Sequence, residues 1–252
     1  MMPRLPADGF GSACLAVSMA SACGAAIDGN VAVAAWIAGF LHYALYLRAF
    51  AWGVPDFAAF KHAAVALKAV GIGMLALPYL KASPGLPSVV VVLAGIALSA
   101  AAAWRLGIDR TYYGQEVAGL PPLRATGFPY SLTAHPMIGG NLAAIAGTLL
   151  DPSFRKEWGI LAAAHLVANL GLLAMEVAGP AHRPTIRGWG PPSLATLVAL
   201  GLFLSWPGQG GTMAQAHATF AAAAISAVLA TASILLHARR ATGGAKPPRG
   251  PG

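Results

Sequence analysis

Charge is scarce in this sequence. Only 10% of its 252 residues are Asp, Glu, Lys or Arg, where an ordinary soluble domain carries roughly a quarter. A water-soluble fold of this length cannot cover its surface with so few charged side chains, whereas a lipid-facing fold needs no such cover. Acids are the scarcest class: 8 Asp and Glu stand against 16 Lys and Arg, a formal charge of +8. Cysteine is nearly absent. Cys14 and Cys23 share one apolar run, lack metal-knuckle spacing and are too few for a disulfide framework, so they read as small packing residues. No Gly-rich loop follows a strand pattern, no nucleophile elbow occurs, and no His, Cys or carboxylate cluster has metal-ligand spacing. No internal repeat is evident.

Apolar residues are abundant, at 57%. A membrane-crossing helix needs about 20 of them in succession. Stretches free of Asp, Glu, Lys and Arg run over Gly9–Ile27, Gly29–Leu47, Ala82–Trp104, Ala125–Leu150, Trp158–Met175 and Gly188–Ala238. The last is too long for one crossing, and Trp206-Pro207-Gly208-Gln209-Gly210-Gly211 divides it. His62–Leu80, which contains Lys68, brings the count to eight. The expected architecture is an all-α, polytopic bundle of about eight spans. Arg4 and the small-residue stretch after it resemble a signal peptide, but Asp8 spoils a basic leader and an uncleaved first span serves as well.

The basic residues test this threading. With the N-terminus in the cytoplasm, Arg4, Arg48, Lys61, Arg105, Arg110, Arg124, Arg183, Arg187, Arg239, Arg240, Lys246 and Arg249 fall inside. Only Lys81, Arg155 and Lys156 fall outside, and Lys68 lies within a span. The positive-inside rule therefore puts both termini in the cytoplasm. The same placement argues for anionic lipid headgroups as partners and against nucleic acid, since no basic stretch is interleaved with aromatics. The tail, 239–252, is basic and rich in Pro and Gly, and is expected to be disordered on the membrane surface.

Polar residues collect between Leu106 and Asn141. Asp109-Arg110-Thr111-Tyr112-Tyr113-Gly114-Gln115-Glu116 is the densest polar cluster, and Phe128-Pro129-Tyr130 then leads to His135-Pro136-Met137-Ile138-Gly139-Gly140. Pro136 disfavours helix at His135 and suits the first helical turn, which places His135 at the mouth of a helix with outward-pointing amides. Gly139 and Gly140 permit close approach either of a ligand or of another helix. Glu176 ends the span that begins near Trp158. A carboxylate there either faces a polar site or simply marks where the span meets water. Lys68 can snorkel towards the nearer interface, and His165 and His217 read as packing or interfacial residues.

The ordered series Tyr112-Tyr113-Gly114, Phe128-Pro129-Tyr130, His135-Pro136-Met137-x-x-Gly140 and a following span ending in Glu176 resembles the phospholipid methyltransferase family. Phosphatidylethanolamine N-methyltransferases are the nearest members in pattern; isoprenylcysteine carboxyl methyltransferases and some sterol reductases are more distant. The resemblance covers roughly 86–185. It implies methyl transfer from S-adenosylmethionine to the amine of a membrane phospholipid at the cytoplasmic face. Carried over, the cofactor residues are His135, Pro136, Met137, Gly139, Gly140, Glu176 and Gly95. On their chemistry, Arg110 and Arg124 suit the lipid phosphate or the cofactor carboxylate, Tyr112 and Tyr113 are further candidates for the lipid, and His135 or Glu116 is the candidate base for proton removal. Three positions depart from the pattern: Ile138 stands where relatives carry an aromatic, Met175-Glu176 replaces a glutamate pair, and Gly95 alone stands where relatives carry a Gly-x-Gly, unless Gly71-Ile72-Gly73 of an earlier span serves. On this reading 81–187 is the methyltransferase-like core, flanked by helices in 1–80 and by two in 188–238. A bacterial inner membrane is compatible with the Ala/Gly-rich usage. The alternatives are a carboxyl methyltransferase or reductase of related topology, or a non-catalytic transporter or scaffold. A transporter would carry repeat symmetry and mid-span polar residues, whereas these polar residues gather at one interface and only Lys68 is placed near mid-span.

Overall fold

The computed structural model describes residues 7–28, 31–123, 125–179 and 183–204, all helical or in connecting turns, with no strand among them. Helix α1 (Ala7–Asp28), α2 (Val31–Trp52) and α3 (Phe57–Lys81) are followed by α4 (Leu86–Leu106) and two short helices, α5 (Ile108–Thr111) and α6 (Gly114–Ala118). The chain then enters α7 (Pro136–Thr148), α8 (Pro152–Ala178) and α9 (Arg183–Leu204).

The helix starts follow from local chemistry. The Asp56 carboxylate accepts from the Ala59 amide at 3.0 Å to cap α3, and the Asp151 carboxylate accepts from the Phe154 amide at 2.8 Å to cap α8, with Pro152 at the first position. Gly85 and Pro87 open α4, and Gly107, at φ +84°, ends it in a conformation that side chains resist.

Two packings organise the bundle. Helices α1, α2 and α3 lie against one another, and α8 and α9 pack on α2 to enclose an aromatic core of Trp36, Phe40, Tyr43, Tyr46, Phe50 and Phe60. Helix α4 instead lies along α7, with backbones almost touching: a Cβ on Gly140 would sit 2.5 Å from the Gly95 carbonyl oxygen and 2.7 Å from the Ser99 amide nitrogen. Ser99 Oγ, within reach of the Met137 carbonyl (2.9 Å) and Asn141 Oδ1 (3.0 Å), reinforces this contact with its one proton. At the opposite end Ser88 Oγ donates to the Gly147 carbonyl at 2.7 Å, so Tyr79 must donate to Ser88 (2.8 Å), and α3, α4 and α7 are tied there.

Among the described residues α3, α4 and α8 are long and apolar enough to cross a membrane. The outer face of α4 is apolar yet uncovered, with Leu93 59% and Trp104 91% exposed. Water would penalise such a face; lipid would not. The run Ala125–Leu150, expected to be one span, is helical only over Pro136–Thr148, because apolar content alone does not separate the loop around Pro129 from the helix behind it. Helix α9 begins at Arg183, before the expected Gly188, and carries Pro191 and Pro192 within it. Arg124, the last expected crossing and the basic tail lie outside the described residues.

Candidate functional site

The connections around α5–α6, the loop before α7 and the end of α8 meet at one end of the bundle. They enclose a cavity of about 500 Å³ lined by polar groups, among them Arg110, Tyr113, Gln115, Glu116, Tyr130, Thr133, His135 and Glu176. Its floor is the start of α7, where His135 precedes Pro136 and no side chain caps the helix. Met137 and Ile138 line the cavity there, so the free amides of the first turn lie at its base.

His135 and Glu176, 41 positions apart, are partners: His135 Nδ1–H donates to Glu176 Oε1 at 2.9 Å. Both remain partly open, with side chains 31% and 24% exposed. In the neutral imidazole, a proton committed to Nδ1 in this way leaves Nε2 with a lone pair. Glu116 lies close enough for its charge to be felt. Burial pushes its carboxyl above the usual carboxylate range and the Glu176 charge adds to the push, while its backbone amide and His135 oppose it.

Tyr113 is the most constrained residue of the site. Its backbone is left-handed, at φ +61°, which is costly for an aromatic residue, and its neighbour Gly114 has no room for a Cβ, which would lie 2.6 Å from the Asp109 carbonyl oxygen. The ring is held edge-on between Tyr46 (5.3 Å) and Phe50 (4.8 Å) of α2. Burial, followed by the Glu176 and Glu116 charges, raises its phenol far above the ordinary value, so it remains a donor. Tyr130 is shifted the same way by burial and Glu176. Arg110 donates to the Pro121 carbonyl at 3.3 Å, but its Nε is buried without a hydrogen-bond partner, an unused donor at the cavity wall. The polar loop is moored from outside: Lys61 of α3 pairs with Asp109, and Arg183 of α9 donates to the Glu116 carbonyl at 3.1 Å.

Of the residues singled out in the sequence, His135, Pro136, Met137, Glu116, Glu176, Arg110 and Tyr113 line this one cavity. Tyr112 packs against the aromatic core instead, and burial raises its phenol. Gly95 and Gly140 face each other across the α4–α7 contact, so their missing side chains serve helix approach, while Gly139 has open space around it and does not line the cavity. Gln115, Tyr130 and Thr133 were not singled out as site residues, although Tyr130 stands in the Phe-Pro-Tyr motif that marks the segment. Among the described residues no group of three or more His, Cys, Asp or Glu could hold a metal.

Residues 86–178 match the family model of the phospholipid methyltransferases. No curated protein and no solved structure matches the chain. The match begins with the first residue of α4 and ends with the last of α8, so the cavity's polar loop and both members of the His135–Glu176 pair fall inside it. Helices α1–α3 and α9 stand outside. Over residues 86–178 this membrane protein is thus similar to the phospholipid methyltransferases.

Proposed function

We propose that this protein transfers a methyl group from S-adenosylmethionine to the amine of a phospholipid headgroup, phosphatidylethanolamine or a methylated derivative, at the cytoplasmic interface. The observation that carries this reading is the His135–Glu176 pair at a polar cavity floored by an uncapped helix start.

The residues fit the cofactor's chemistry. Glu176 keeps Oε2 free to accept from an ammonium or a ribose hydroxyl, and hydrogen bonds to ionised acceptors are the strong ones. The amides opening α7 and the unused Arg110 Nε suit a carboxylate or phosphate. S-adenosylmethionine, when bound, supplies the electrophilic methyl group. The chain's share is to orient the lipid amine and to strip it of the proton that blocks its lone pair. His135 Nε2 is placed to accept that proton, and Glu116 is the second base. Tyr113 and Tyr130, kept protonated, donate to lipid phosphate oxygens. A carboxyl with a raised pKa releases its proton only at higher pH, so a step that uses Glu116 as base gains rate as pH rises through a limb above the ordinary carboxylate range. Glu116→Gln is expected to remove that limb from the pH–rate profile; a profile identical to that of the parent protein rules the role out.

Charge placement supports the cytoplasmic assignment. Among the described residues Arg48, Lys61, Arg105, Arg110, Arg183 and Arg187 lie in elements at the cavity end, while Lys81, Arg155 and Lys156 lie at the other. Eight crossings, both termini inside and a bacterial inner membrane belong to the same proposal. The lipid product tests it. Expression in a host that lacks phosphatidylcholine is expected to yield mono-, di- or trimethylated phosphatidylethanolamine by mass spectrometry. A profile equal to the empty-vector control overturns the substrate assignment.

A further inference from the structure

A second cavity, of about 180 Å³, lies deeper in the bundle. Helices α2, α3, α4, α7 and α8 line it, and Tyr113, Met137 and Ile138 form the wall it shares with the first cavity. Its depth follows from helix geometry. His42 lies ten residues from the end of α2 and Lys68 eleven from the start of α3, so at about 1.5 Å per residue both sit roughly 15 Å below the cavity end of the bundle. That is near the middle of a hydrocarbon layer about 30 Å thick.

Polar side chains at such a depth are expensive, and here they fall into two groups. One is satisfied: Asn169 donates to Tyr43 Oη at 2.7 Å, and Tyr43 Oη lies 3.1 Å from His165 Nδ1, which fastens α2 to α8. The other is not. His42 Nδ1 is buried with no hydrogen-bond partner, and His42 is 8% exposed. The Lys68 ammonium has no carboxylate within ion-pair distance among the described residues. None can be supplied at this level, because α2, α3, α4 and α7 contain no Asp or Glu, and those of α8, Glu157 and Glu176, stand towards its two ends. Much of the remaining wall is apolar, including Leu75, Val92, Ala144 and Ile145, with Tyr46, Tyr79, Thr111, Tyr113, Asn141 and Thr148 as its other polar members. Helices α3 and α4 diverge above their tie at Tyr79 and Ser88, because α4 follows α7, and Ile72 (57% exposed) and Ile96 (51% exposed) flank the gap from either side.

We infer that this cavity binds the carboxylate of a long-chain lipid acid, which enters sideways between α3 and α4 and meets Lys68 and His42. The charge argument selects the ligand. An ammonium at this depth with no carboxylate partner among the described residues calls for an anion. A planar, singly charged carboxylate can use one ammonium and one imidazole N–H together, and its apolar chain matches both the wall and the lipid-facing entrance. The site is carried by residues of α2 and α3, outside the family-matched segment, and does not depend on the methyl-transfer reading.

The test uses the full chain in phosphatidylcholine nanodiscs with a diazirine-bearing palmitic acid as probe, and peptide mass spectrometry to locate the label. The label is expected on the stretches of α3 and α4 around Ile72 and Ile96, with oleate competing and methyl oleate not. Lys68→Met, which removes a charge at mid-bilayer depth and should not harm folding, is expected to lower labelling at least tenfold; Lys68→Arg is expected to retain most of it. His42→Phe provides the second arm and is expected to weaken labelling severalfold. Helicity and elution profile establish that each variant is folded. Labelling unchanged in Lys68→Met and His42→Phe, competition by methyl oleate equal to that by oleate, or label confined to other helices each overturns the site.

Discussion

Replacing Glu176 by alanine is expected to weaken S-adenosylmethionine binding at least tenfold, or about 1.4 kcal/mol, in equilibrium dialysis with the detergent-solubilised protein. The loss has two sources. The carboxylate itself is the acceptor that the proposed cofactor ammonium or ribose would use. It also holds His135 through the 2.9 Å bond to Nδ1, so its removal frees the imidazole to turn away from the mouth of α7. Glu176→Gln keeps the shape and can still accept at Oε1, so it is expected to fall between the parent and the alanine variant. An affinity unchanged in Glu176→Ala takes this residue out of the site and leaves the proposed mechanism without its anchor.

The second large effect concerns folding. Gly140→Val is expected to lower the thermal midpoint steeply or to abolish recovery of folded protein. The new Cβ would meet backbone atoms of α4 at Gly95 and Ser99, and backbone cannot turn aside as a flexible side chain can. Overpacking typically costs about 1–3 kcal/mol, and a clash with main chain on a helix pair this close belongs at or above the upper end. The control lies one residue earlier. Gly139 has open space about its Cβ position, so Gly139→Ala is expected to leave the midpoint unchanged or raise it, since alanine gains about 0.5–1 kcal/mol over glycine inside a helix. Equal midpoints for the two variants would show that α4 and α7 do not approach as described.

These two glycines also show where sequence reasoning stops. Gly139 and Gly140 are indistinguishable as letters, and each permits approach by a ligand or by a helix. Which one faces α4 is set by the rotation of α7, and that depends on Ser99 and Gly95, some forty residues earlier. By contrast, the pairing of His135 with Glu176 was foreshadowed: a proline fixes the helix start at one, and a span boundary fixes the height of the other, so the same end of the bundle receives both. Helix content was legible from the apolar runs, whereas the starts of α3, α4 and α8 are set by Asp56, Pro87 and Asp151 and differ from the beginnings of those runs at His62, Ala82 and Trp158. The loop around Pro129 was not, because an apolar loop and an apolar helix have the same composition. The buried cluster of His42, Tyr43, His165 and Asn169 was beyond reach altogether. His165 reads as an isolated packing residue until α8 is laid against α2, a pairing across 122 positions.

The mooring of the polar loop has a consequence for how the chain can be divided. Tyr113 keeps its unfavourable backbone only because Tyr46 and Phe50 grip its ring, Asp109 is tethered by Lys61, and the Glu116 backbone is held by Arg183. All four of these holders come from α2, α3 and α9, which the family match leaves out. The polar cavity therefore borrows its roof from its neighbours. A fragment cut to 86–178 would keep both His135 and Glu176 and still lack the clamps that shape the ceiling above them.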